Sequence, residues 1–230
     1  MSMDKEFRCC KPDGTLFKLN LTGVEYFYRD FKETCYIVQQ DRCFTFAKNK
    51  AFNRGLFLFG LVKKDFDKWL SRNPEPKFED FYPPTRIKTV QTELTPIKYD
   101  IDHAYWRIAF LKGYISEGTY KHGIRLKNED DAFKKLYCMA LSVQGQRKVL
   151  HGYRNKVRTG TTFVIEKDPM HAEIYKDIRH STHKIISDLA DILWDDFLQY
   201  NVDCITFIRQ KNCKKVESYF KKQNLTFKKL

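Results

Sequence analysis

The stretch Asp168-Pro169 followed by Ile174, Ile178, Ile185, Leu189 and Ile192 constrains the fold more than any other part of this chain. An aspartate at a helix N-cap accepts free amide protons of the first turn, and a proline just inside loses no hydrogen bond there. Apolar residues at helical spacing then give the helix one face to bury. A helix is predicted from residue 168 to about 192. Immediately after it, Phe197 to Tyr200 and Cys204 to Ile208 read as a hairpin turned at Asn201-Val202-Asp203. The helix can lie along the sheet that this hairpin begins. That predicts an α+β fold and sets a carboxylate, Asp203, at a turn of the sheet.

The rest of the chain fits around this unit. From Ile97 a strand is predicted to end near Asp102. A helix follows at about His103 to Lys112, a break at Gly113, a short helix capped by Ser116 and stopped by Gly123, and a longer helix from about Glu129 to His151. Beyond the hairpin, a helix at about Asn212 to Gln223 and a short strand close the pattern. Residues 7 to 48 alternate apolar and polar positions (Phe17, Leu19, Leu21; Tyr36, Val38; Phe44, Phe46), with turn signals at Pro12-Asp13-Gly14 and Gln40-Asp41-Arg42. This reads as short antiparallel strands. Gly55 to Val62 is the size of a strand or of a buried helical segment, and a helix is expected near Lys63 to Ser71. Pro74, Pro76, Pro83 and Pro84 then force extended backbone. The expected boundaries are a small β-rich N-terminal region at 1–71, a linker or arm at 72–95, and a domain at 96–230.

Hydrophobic residues make up 42% and aromatic residues 15% of the 230, which argues for a folded globular protein rather than a disordered chain. A formal net charge of +13 and a pI near 9.3 favour an anionic partner, of which nucleic acid is the commonest for a basic protein. No apolar stretch approaches the roughly 18 residues of a membrane span, and the N-terminus has no apolar signal core, so no membrane is expected as partner. The seven cysteines are odd in number and scattered, without a metal or disulfide frame, which fits a reducing, cytoplasmic setting.

Two aspartates carry the chemistry. Asp100 lies in Tyr99-Asp100-Ile101-Asp102-His103-Ala104-Tyr105-Trp106, and Asp203 in Asn201-Val202-Asp203-Cys204-Ile205-Thr206-Phe207. These frames resemble motifs A and C of family B DNA polymerases. In motif A an aspartate is followed at the fifth position by a tyrosine, here Asp100 and Tyr105. In motif C the family has Asp-Thr-Asp-Ser before a hydrophobic strand. Here Asn201 stands at the first aspartate and Asp203 is retained at the second, the usual metal ligand. The match covers about Pro96 to Leu230.

The resemblance implies a polymerase-palm-like antiparallel sheet with packed helices and a helical, fingers-like insert at about 103–158. It implies that Asp100 and Asp203 hold two divalent cations, Mg²⁺ or Mn²⁺, for transfer of a nucleotide from its triphosphate to a primer. Tyr105 would stack beneath the incoming sugar. Lys134 and Lys135 would take the place of the fingers lysine that grips the triphosphate, although the family's Tyr-Gly pair does not follow them. Arg147 and Lys148 add positive charge for the triphosphate. Arg154, Lys156 and Arg158, with Lys211, Lys214 and Lys215 of the basic C-terminal stretch, are candidates for binding nucleic acid. Each has a plainer reading: turn aspartates, a core tyrosine beside Trp106, solvated lysines. Asp102 is a possible accessory ligand. His180 and His183 lie one helical turn apart, but a solvated helix face suits them better than a metal.

The family's exonuclease and thumb have no room here. Two functions follow. One is a minimal DNA polymerase-like nucleotidyltransferase, phage-encoded, whose protein partners supply the clamp. The other is an inactive palm-fold protein that binds DNA or serves a structural role in replication or in a virion.

Overall fold

The computed structural model describes residues 4–10, 16–22, 26–30, 34–39, 42–47, 50–89, 92–129, 137–142, 144–149 and 161–230; side chains are described within 57–144 and 168–230. The turns expected at 12–14 and 40–41 lie outside these residues. The chain forms two compact units, one of residues 1–67 with 121–172 and one of residues 68–120 with 173–230. The linear boundaries expected at 71/72 and 95/96 do not coincide with this grouping.

The first unit holds the expected antiparallel N-terminal strands. β1 (Asp4–Cys10) and β2 (Leu16–Thr22) pair as a ribbon, Asp4 opposite Thr22. β3 (Tyr26–Asp30), β4 (Thr34–Gln39) and β5 (Arg42–Ala47) form a meander. Two strands from much later in the chain, β8 (Gly145–Val149) and β9 (Thr161–Lys167), complete this sheet in the order β5-β4-β3-β9-β8. Gly145–Val149 was expected to end the helix starting near residue 129, and it is a strand instead. The partner decides: β9 carries Thr161, Thr162, Val164 and Ile165, β-branched residues that suit a pleated sheet, and it pairs with both β8 and β3. The expected fingers-like insert is therefore not helical throughout.

Helix α1 (Lys50–Arg72) includes the apolar run as well as the helix expected after it. Leu58, Val62 and Phe66, each fully buried, recur every four residues, so they fall on one side of the helix.

The second unit carries the five-stranded sheet β12-β7-β11-β10-β6, antiparallel throughout. Its strands are β6 (Thr85–Ile87), β7 (Ile97–Ile101), β10 (Phe197–Asn201), β11 (Cys204–Phe207) and β12 (Phe227–Lys229). α2 (Ala104–Leu111) follows β7, α3 (Glu117–Glu129) comes next, α4 (Pro169–Ile192) leads into the β10–β11 hairpin, and α5 (Cys213–Lys222) connects β11 to β12. With β6 set aside as an added edge, the connectivity is strand, helices, hairpin, helix, strand, with the first strand between the third and fourth. This is the split βαββαβ arrangement.

The caps act as the sequence reads. Asp168 Oδ1 accepts the N–H of Met170 at 2.9 Å and of His171 at 3.2 Å, and Ser116 Oγ accepts that of Thr119 at 3.3 Å. α3 runs through Gly123 rather than stopping there. The α4 stripe drifts as a 3.6-residue period requires. Ile174, Ile178 and Leu189 are fully buried as expected, but Ile186 takes the buried place foreseen for Ile185, and Ile192 is 44% exposed. One sheet face packs against helices: Tyr99 stacks on Phe207, its hydroxyl donates to Glu217 of α5 at 2.7 Å, and Phe220 of α5 meets Phe227.

Candidate functional site

Tyr99 and Ile101 point into that core at 1% and 2% exposure, so strand alternation turns Asp100, between them, to the opposite face. Asp100 sits directly across from Cys204 on β11 and from Lys228 on β12. Asp203 immediately precedes Cys204, and its carbonyl accepts the Ile101 N–H at 2.9 Å. The tight turn before it holds Val202 at φ 57°, with the Val202 N–H donating to the Pro84 carbonyl at 2.6 Å. The two aspartates, far apart in sequence, thus come to neighbouring strand ends of one sheet.

Lys228 Nζ lies 3.0 Å from Asp100 Oδ2. Its hydrogen bond to Asp100 and the charge of that carboxylate, with smaller contributions from Asp102 and Asp203, hold the ammonium above the ordinary lysine range against the opposing effect of burial. The spot between these three carboxylates therefore favours positive charge. Burial pushes the Cys204 thiol up, and the charges of Asp100 and Asp203 add to that, against Lys98; the net effect favours the thiol over the thiolate.

Tyr105 reaches the same region from the first turn of α2, which His103 starts in the left-handed conformation at φ 54°. His183 Nδ1 lies 3.1 Å from the Tyr82 carbonyl, a contact that needs the proton on Nδ1; Nε2 is then an acceptor, and the Tyr105 hydroxyl donates to it at 3.4 Å. Burial holds the His183 imidazole below its usual range, and the charges of Arg179 and His180 lower it further, against the Tyr82 bond. Burial raises the Tyr105 phenol; Arg179, through its charge and a hydrogen bond, opposes the rise, and the Asp203 charge adds to it. His183 is thus not on a solvated helix face: it is 1% exposed. Sequence reasoning missed Arg179, His183 as the partner of Tyr105, and Lys228. Helical spacing from Tyr175 through Arg179 to His183 was the available signal for the first two.

Lys211, Lys214 and Lys215 are exposed, but they follow the far end of β11 and are not gathered at the carboxylates. Arg147 and Lys148 sit on β8, opposite Ile165 and Val164, in the other unit. Lys134, Lys135, Arg154, Lys156 and Arg158 lie outside the described residues. On the helical side of the second unit, a cleft of about 450 Å³ is lined by Ile108, Leu111, Ile185 and Tyr219 with Lys112, Lys184 and Lys222. Lys112 is held by Asp177 and Lys184 by Asp188, so two of its lysines are already neutralised.

Among the described residues no group of three or more His, Cys, Asp or Glu converges to hold a metal, and no helix is long and apolar enough to cross a membrane. No family model, curated protein or solved structure matches this chain.

Proposed function

We propose that this protein is a minimal nucleotidyltransferase of the polymerase-palm kind, extending a nucleic-acid primer with Asp100 and Asp203 as its metal-bearing carboxylates. One observation carries the reading: β7 and β11 are neighbours in a register that sets Cys204 opposite Asp100 and the Asp203 carbonyl on Ile101. The split βαββαβ order is the connectivity a palm needs.

The donors suit Mg²⁺ or Mn²⁺. They are hard carboxylate oxygens, they already attract an ammonium, and Mg²⁺ completes its shell with water and substrate phosphates instead of an all-protein cage. Bound there, such cations would acidify a primer 3′-hydroxyl and neutralise the leaving pyrophosphate. The protein's own part is positional. Tyr105, tied to His183 and Arg179 and close to Asp203, would stack beneath the incoming sugar, and Arg179 would supply a cation for the triphosphate.

A second reading is favoured by Lys228. Because the ammonium already pairs with Asp100, the sheet could serve as an inactive DNA-binding or structural component with its charge settled internally. Primer extension on a short primed DNA with Mg²⁺ or Mn²⁺ and all four nucleotides separates the two. The nucleotidyltransferase extends the primer, and Asp100→Asn and Asp203→Asn each lose activity by at least about 100-fold with DNA affinity unchanged. No extension by the wild type, with salt-sensitive DNA binding that survives both substitutions, establishes the binding component instead.

A further inference from the structure

At the end of the hairpin remote from Asp203, Trp194 stands in the turn between α4 and β10 with half of its surface, 50%, in solvent. Arg86 and Lys88 flank it from the β6 arm: the guanidinium carbon lies 5.1 Å and the Lys88 ammonium 4.6 Å from the indole ring. Lys88 also donates to the Trp194 carbonyl at 2.5 Å. Lys215 reaches this corner from α5, donating to the Ile192 carbonyl at 3.1 Å, and Lys214 and Lys211 are exposed beside it in sequence. The acidic residues here are Asp191, bound to Arg86 at 2.6 Å, Asp195, which is exposed, and Asp196, which is buried and paired with Arg209 at 3.2 Å. Basic side chains thus gather around one exposed aromatic ring, with Ile87 and Ile192 also exposed at 69% and 44%.

An indole half in water at a basic corner presents a flat ring and positive charge together to a partner. Of the partners that combine flat rings with a regular anionic backbone, single-stranded nucleic acid fits best. An unpaired base can stack on the ring while adjacent phosphates meet Lys88 and Lys215. A duplex offers no free base face, and an acidic protein surface has no need of the ring.

We propose that Trp194, with Lys88, Arg86 and Lys215, forms a stacking and phosphate-binding track for a single strand. This rests on the reading of the partner as nucleic acid and does not require catalysis. Of the lysines expected to bind nucleic acid, Lys215 then acts at this corner, away from the carboxylates. Arg86 acts mainly by holding the ring, since Asp191 takes its charge.

The test is fluorescence and anisotropy titration of the full chain with labelled and unlabelled oligothymidylate at several salt concentrations. Trp106 is buried and Trp69 half-buried, so the exposed Trp194 dominates the quenchable emission. Oligothymidylate is expected to quench the wild type. Trp194→Ala should bind on the order of tenfold more weakly with the quench lost, and Trp194→Phe should recover part of the affinity. Lys88→Gln and Lys215→Gln should each reduce the salt slope by about 0.7. Unchanged affinity in Trp194→Ala, tighter binding to duplex than to single strand, or no oligonucleotide binding by the wild type would overturn the proposal. A wild type that binds oligothymidylate through Trp194 but extends no primer would leave this track standing and remove the catalytic reading alone.

Discussion

Two aspartates of the same unit, Asp177 and Asp100, are treated in opposite ways by the fold. Asp177, on α4, is 1% exposed, and its oxygens accept the Tyr114 hydroxyl at 2.6 Å, the Glu79 N–H at 2.5 Å and the Lys112 ammonium at 2.6 Å. Its lone pairs are spent on the arm, α2 and the loop after it. The Tyr114 phenol is held well above its ordinary range, by burial first and by Asp177 second. Asp100 has a side chain 22% exposed, and its ion pair is with Lys228, itself 54% exposed. A carboxylate whose acceptors are saturated by buried donors holds structure together. One balanced by an exchangeable surface ammonium keeps the capacity to take another cation.

The largest expected effect tests the first half of that contrast. Asp177→Ala leaves the Tyr114 hydroxyl, the Glu79 N–H and a half-buried ammonium without their acceptor. It should lower the unfolding free energy by about 3–5 kcal/mol, read from the urea midpoint. In the same measurement Asp100→Asn should cost no more than about 1 kcal/mol, because it breaks only a solvent-screened pair. Equal losses at both sites would erase the distinction.

A smaller effect probes the residue that anchors Tyr105. Because the folded His183 is held below its ordinary range, it contributes stability that is fully present above the unfolded value near 6.5 and is lost as pH falls through the folded one. The urea midpoint should drop between pH 7.5 and 5.5, and it should drop less in His183→Gln. Other titrating groups are common to both proteins, so the difference isolates this imidazole. A parallel decline in the two would show that His183 is not buried neutral.

What was legible in the sequence divides along the same line between local and distant causes. The α4 cap, the β10–β11 hairpin with Asp203 at its turn, the β7 strand and α5 were all readable, because Asp168-Pro169, the apolar periods and the turn residues act within a few positions. The strand at Gly145–Val149 was not, because what makes it a strand is β9, itself paired to β3 from the start of the chain. The candidate site splits likewise. Asp100 and Asp203 could be singled out from their own frames, whereas Lys228 reaches Asp100 only through the register of β12 on β7. His180 and His183 looked alike on α4, but only His183 meets the Tyr82 carbonyl, a contact with the proline-rich arm that no helical period announces.

The smallest effect is the most discriminating. Lys228→Gln should change the unfolding free energy by no more than about 0.5 kcal/mol, since a half-exposed ion pair is worth little once screened. It should nonetheless tighten binding of Mn²⁺, followed by electron paramagnetic resonance, because it removes a competing positive charge from beside Asp100, Asp102 and Asp203. A protein in which Lys228 is a placeholder shows both outcomes. One in which the lysine permanently settles the charge, as Lys112 does for Asp177, loses stability and gains no Mn²⁺ affinity. That result would move Asp100 into the same class as Asp177 and take the catalytic reading with it.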